Sequence, residues 1–115
     1  MWDIELYERE NGRCPCQEFL DNLSLIDELP YVERKIKLLK GLGYKLDRPH
    51  AAYLRDDIYE LRIKTRNKNI RILYFFFERN RIVLTNGVIK KSDKTPDSEI
   101  NKAILYRNNY LERER

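Results

Sequence analysis

The chain has 115 residues, of which 37% are charged and 42% hydrophobic, with a formal net charge of +4. That length is expected to give one domain, residues 1–115, with a core large enough to hold it. No apolar run approaches the ~20 residues a membrane-spanning helix needs. The acidic, alternating start MWDIELYERE is unlike a signal peptide, so a cytoplasmic location without a membrane partner is expected. Cys14 and Cys16 stand one residue apart, too close to form a disulfide readily, and no further Cys or His completes a zinc pattern. They are expected to be reduced thiols, with no metal site and no cofactor.

The charge is uneven. Residues 55–94 carry eleven Lys/Arg against five Asp/Glu; the rest of the chain carries twelve against fourteen. The basic excess therefore lies in one segment, which is either a solvated face or a contact for a polyanion.

In chain order, Trp2, Ile4 and Leu6 alternate with Asp3, Glu5 and Tyr7, the pattern of a half-buried strand. Asn11-Gly12 is a turn pair. Pro15 suits the first position of a short helix whose apolar face is Phe19, Leu20 and Leu23. Residues 24–28 break it. Pro30 opens a second helix with Leu29, Val32, Ile36 and Leu39 on one stripe, and Gly41 and Gly43 stop it. Its basic residues, Lys35 among them, read as a solvated face. Residues 44–57 read as irregular, and His50, the only histidine, reads there as an ordinary surface residue.

Residues 58–65 alternate, with Tyr59, Leu61 and Ile63 on one side and Glu60, Arg62 and Lys64 on the other. Residues 70–78 are almost continuously apolar, as in a central strand covered on both faces, and Arg71 stands at their start on the side of Leu73 and Phe75. Residues 81–86 give the next strand of an antiparallel meander. A loop with Lys90, Lys91 and Lys94 follows. Thr95 can cap the last helix, with Pro96 in its first position and Ile100, Ala103, Ile104, Arg107 and Leu111 on its stripe. The final LERER segment is expected to fray. The predicted fold class is α+β: a small antiparallel sheet in the order β-α-α-β-β-β-α, with a helix hairpin on one face, a C-terminal helix, and the other face partly open.

Arg62 and Arg71 on neighbouring strands, with a lysine loop at the end of the next, can surround one phosphate. The planar guanidinium donates two parallel hydrogen bonds to phosphate oxygens. Ordinary cross-strand pairing, such as Glu60 with Arg71, explains the same residues equally well at this stage. There is no glycine-rich cradle, Walker sequence or Gly-x-Ser-x-Gly. Any catalysis must come from Arg, Lys, Glu and Tyr.

Three motifs, Glu60-Leu61-Arg62, Arg71-Ile72-Leu73-Tyr74 and Lys90-Lys91-Ser92-Asp93-Lys94-Thr95-Pro96, resemble those of the RelE/ParE toxin superfamily, closest to its HigB-like, phage-derived branch. The resemblance covers nearly the whole chain. It implies a toxin of a type II toxin–antitoxin pair that cleaves mRNA on the ribosome and is silenced by a cognate antitoxin, often a helix-turn-helix protein. It implies a metal-independent attack of the ribose 2′-OH on the adjacent phosphate. Arg62 and Arg71 would stabilise charge on the phosphoryl oxygens. Glu60 would be the base, with Lys91 or Tyr74 behind it. Lys64, Arg66, Lys68, Lys90, Lys91 and Lys94 would hold the message or ribosomal RNA. Tyr106 and Tyr110, near the end of the chain, read as packing residues. The alternative within the superfamily is a ParE-like inhibitor of DNA gyrase that acts by protein–protein binding.

Overall fold

The computed structural model describes residues 1–114, Ser24 through its backbone alone. Alternation at the start of the chain produces strand β1 (Asp3–Leu6), and Ile4, Leu6 and the preceding Trp2 turn toward one core. Helix α1 (Pro15–Ser24) begins at Pro15 and buries Cys16 and Leu23. Helix α2 (Leu29–Leu42) buries Val32 and Leu39 completely. It ends at Gly43, whose φ is 52°. A Cβ there would stand 1.9 Å from Trp2 Nε1, so both backbone and space demand glycine.

Four further strands follow: β2 (Ala51–Arg55), β3 (Ile58–Lys64), β4 (Asn69–Phe77) and β5 (Arg81–Lys90), then helix α3 (Asp97–Arg113). The sheet order is β1-β5-β4-β3-β2, with β1 parallel to β5 and every other pair antiparallel. The apolar run at 70–77 is thus the central strand, as its composition indicates.

Helices α1 and α2 share one face of the sheet, α1 over β5 and α2 over β3, around Leu61, Ile63, Ile72, Tyr74, Ile82 and Leu84. α1 comes so close that a Cβ on Gly87 would lie 2.3 Å from Phe19 Cδ2. The α+β class, the helix pair on one face and the C-terminal helix match the sequence reading.

Several details differ. The stretch read as irregular contains β2, which pairs with β3 through a tight turn at Asp56 and Asp57, both at positive φ (51° and 65°). Two aspartates do there what Asn-Gly usually does. β5 continues through Lys90, so Lys90 is a strand residue and the loop is only 91–96. α3 has Pro96 at its N-cap and no side-chain cap. The helix persists to Arg113, so the expected fraying fails for residues 111–113; Arg115 lies outside the described residues.

The second face is also less open than expected. α3 packs on it through Ile100, Ala103, Tyr106 and Tyr110, against Ile58, Leu73, Phe75 and Val83. Tyr106 and Tyr110 are core residues there, with Tyr110 Oη donating to Glu5 (2.9 Å) and accepting from Arg81 (2.7 Å).

Candidate functional site

Residues directly opposite in an antiparallel pair project from the same face. β3 and β4 pair Glu60 with Leu73 and Arg62 with Arg71. All four therefore share the face on which α3 packs. The register with β5 has one irregularity, between Leu73 and Tyr74, where Asn86 and Leu84 are the consecutive partners and Thr85 is the extra residue. Thr85 Oγ1 donates to the Leu73 carbonyl at 3.1 Å. Beyond this bulge Val88 faces Arg71 and Lys90 faces Asn69. Without the extra residue, Ile89 would take the place of Lys90 on the arginine face.

At the centre lies the Glu60 carboxylate, 3% exposed. Its Oε2 accepts from Arg62 Nε at 2.8 Å and lies 3.5 Å from Arg71 Nε, an ion pair too long for a hydrogen bond. Its Oε1 accepts from the Thr95 hydroxyl. This is why Thr95 does not cap α3: its side chain ties the loop 91–96 to β3 instead. Arg71 Nη1 donates to the Ile70 carbonyl at 3.1 Å, and its buried Nε has no hydrogen-bond acceptor among the described residues.

Arg62 and Arg71 thus flank one carboxylate, and the register puts Lys90 on the same face. Burial lowers the pKa of Arg71 from its usual value, partly offset by Glu60 and reinforced by Arg62. Burial also lowers that of Lys90, and the Arg71 charge adds to the effect. A second anion would oppose both shifts, since it favours the charged form of each cation.

Arg62 and Arg71 open into a cleft of about 410 Å³ that also includes Lys35, His50, Lys64 and Asn69. The cleft exists because β2 stops short. The β2–β3 pairing ends at Ala51 and Leu61, and one further bond, from Arg62 N–H to the His50 carbonyl (2.8 Å), holds His50 beside Arg62. The His50 ring in turn meets Lys35 of α2, with Nδ1 2.9 Å from Nζ. The reading of His50 as an ordinary surface residue, and of Lys35 as part of a solvated face, gives way to a place for both in this cleft. The only sequence signal is that the histidine is single.

Among the remaining sequence candidates, Lys64 lines the cleft, while Arg66, Lys91 and Lys94 are exposed and Lys68 is half-buried on the connections around it. Lys90 Nζ is held by the Asp93 carbonyl. Tyr74 belongs to the other face: it is fully buried in the core under α1 and α2 and stacked on Tyr59, and burial raises its hydroxyl above the usual range.

A small α+β fold with an arginine-lined cleft at its sheet is the class that fold and site define. Residues 18–106 match the family of phage-derived Gp49-like proteins (DUF891), and the chain belongs to that RelE-like toxin family. No curated protein matches it.

Proposed function

We propose that the protein is the toxin of a HigB-like toxin–antitoxin pair and an mRNA endonuclease that acts on the ribosome, in the cytoplasm. The observation that carries this reading is the Arg62–Arg71 pair: two guanidiniums opposite one another across β3 and β4, on one face, opening into one cleft. In the proposed reaction the ribose 2′-OH attacks the adjacent phosphorus without a metal ion. Arg62 and Arg71 stabilise the charge that builds on the phosphoryl oxygens. Groups already oriented before the reaction are the most effective at this, and they are oriented here by Glu60. With both its oxygens engaged, Glu60 is assigned that orienting role in preference to the role of base. Lys64, Lys90, Lys91 and Lys94, with Arg66 and Lys68, supply positive charge along the RNA backbone. An antitoxin with an acidic segment would be drawn to the same surface and block it.

The test is a cell-free translation extract. Wild-type protein is expected to fragment the message. Arg71→Ala and Arg62→Ala are each expected to lower the cleavage rate by about 10²-fold or more, as loss of an oriented charge-stabilising donor does. Lys40→Ala, on α2 and outside the cleft, should leave cleavage unchanged. Intact message together with DNA damage in cells would replace this reading with gyrase inhibition. Equal effects of Arg71→Ala and Lys40→Ala would remove the site.

A further inference from the structure

Cleavage by a 2′-OH leaves an alkoxide on the departing 5′ oxygen, and some group must supply a proton there. Most side chains able to do so are engaged elsewhere. Tyr106 and Tyr110 lie in the core on the buried side of α3, Tyr74 faces the opposite side of the sheet, and both oxygens of Glu60 accept hydrogen bonds. Lys90 Nζ is bound to the Asp93 carbonyl. Within the cleft that holds Arg62 and Arg71, His50 is the side chain built for proton transfer.

Its hydrogen bond gives its state. A lysine ammonium can only donate, so at 2.9 Å from Lys35 Nζ the imidazole Nδ1 is the acceptor. The proton of the neutral ring then sits on Nε2. A neutral imidazole is a poor acid by itself, because giving up its proton would leave an imidazolate. The lysine removes that difficulty: a proton passing from Nζ to Nδ1 as Nε2–H leaves keeps the ring neutral throughout.

On the nuclease reading above, we infer that His50, supplied by Lys35, protonates the leaving 5′ oxygen. The 2′ oxygen forms its bond to phosphorus and releases its proton to water. The bond from phosphorus to the 5′ oxygen breaks, and that oxygen takes the Nε2 proton of His50. Lys35 passes a proton to Nδ1 and ends as a neutral amine, which solvent recharges. The products are a 2′,3′-cyclic phosphate and a 5′-hydroxyl. His50 is the catalytic residue; Lys35 acts through it. The backbone also favours this placement, because the His50 carbonyl accepts from the N–H of Arg62, one of the two guanidinium residues.

A leaving group that needs no proton separates this role from a structural one. Ribosomes are programmed with two messages: an ordinary one, and one whose scissile 5′ bridging oxygen is replaced by sulfur. On the ordinary message, His50→Gln is expected to slow cleavage by about 10²- to 10⁴-fold, the usual contribution of a positioned acid. On the sulfur message its deficit should shrink to less than about tenfold, because a thiolate departs unprotonated. Lys35→Met, which leaves the residue 50 backbone untouched, should show the same rescue from a smaller initial deficit. Arg71→Ala should be slow on both messages. If His50→Gln cuts the ordinary message at the wild-type rate, or is equally impaired on both, the inference is overturned while the nuclease reading stands. If wild-type protein leaves both messages intact, the nuclease reading fails and this inference with it.

Discussion

The two ends of one sheet face make opposite use of the same strands. Toward Phe75, β4 presents Leu73 and Phe75 beneath α3, in a buried core closed by Ile100, Ala103, Tyr106 and Tyr110. Toward Asn69, the same strand presents Arg71, across from Arg62 and above the Glu60 carboxylate, at the wall of an open cleft. The change takes place over two residues. It is possible because α3 begins only at Asp97, and because Thr95 binds Glu60 where the two halves meet. The covered half contributes through area removed from water. The open half sets two guanidiniums beside a single carboxylate, and buried ion pairs of this kind add little net stability.

Substitutions should separate the halves. The largest expected effect on stability is Phe75→Ala. Phe75 is fully buried and lies edge-on to Tyr110, so its truncation should cost about 3–5 kcal/mol in denaturant unfolding. A cost below about 1 kcal/mol would mean that α3 does not close a packed core there.

Glu60→Gln should act in two directions. It removes a charged acceptor of the Arg62 hydrogen bond and should cost about 1–3 kcal/mol in the same measurement. It also leaves Arg62 and Arg71 without their internal counterion, so binding of a short RNA, read by fluorescence anisotropy, should tighten. Weaker binding in a folded variant would show that the carboxylate aids the ligand more than it competes with it.

The smallest effect on stability is expected from Lys64→Ala, since Lys64 is exposed. Unfolding should be unchanged within about 0.5 kcal/mol. RNA affinity should fall, and the slope of its logarithm against the logarithm of salt concentration should flatten by about 0.7 for one lost phosphate contact on a single strand. An unchanged slope would take Lys64 out of the RNA path.

The residues that are legible in the sequence and those that are not differ in physical kind. β3 is visible because Tyr59, Leu61 and Ile63 alternate with Glu60, Arg62 and Lys64, and β4 because its apolar run fits only a strand covered twice. β2 is hidden: Ala51-Ala52 has little strand character, and its turn uses two aspartates at positive φ. The reach of β5 to Lys90 is hidden as well, since a bulge at Thr85 leaves no periodic trace. Tyr106 and Tyr110 read as packing residues and lie in the core, though the apolar stripe expected for α3 includes the half-exposed Leu111 instead.

Alone, the chain's order of residues determined the α+β class, the central place of residues 70–77, and the concentration of positive charge on the segment after residue 55. These follow from local periodicity and composition, which act between near neighbours. Tertiary structure decided what meets what: that Thr95 serves Glu60 and leaves α3 uncapped, that the bulge turns Lys90 toward the arginines, and that Lys35 and His50, 15 residues apart, join at the edge where β2 begins. Those contacts depend on strand register and on how far each strand extends. Register is set by packing across the whole sheet, and no short stretch of the chain encodes it.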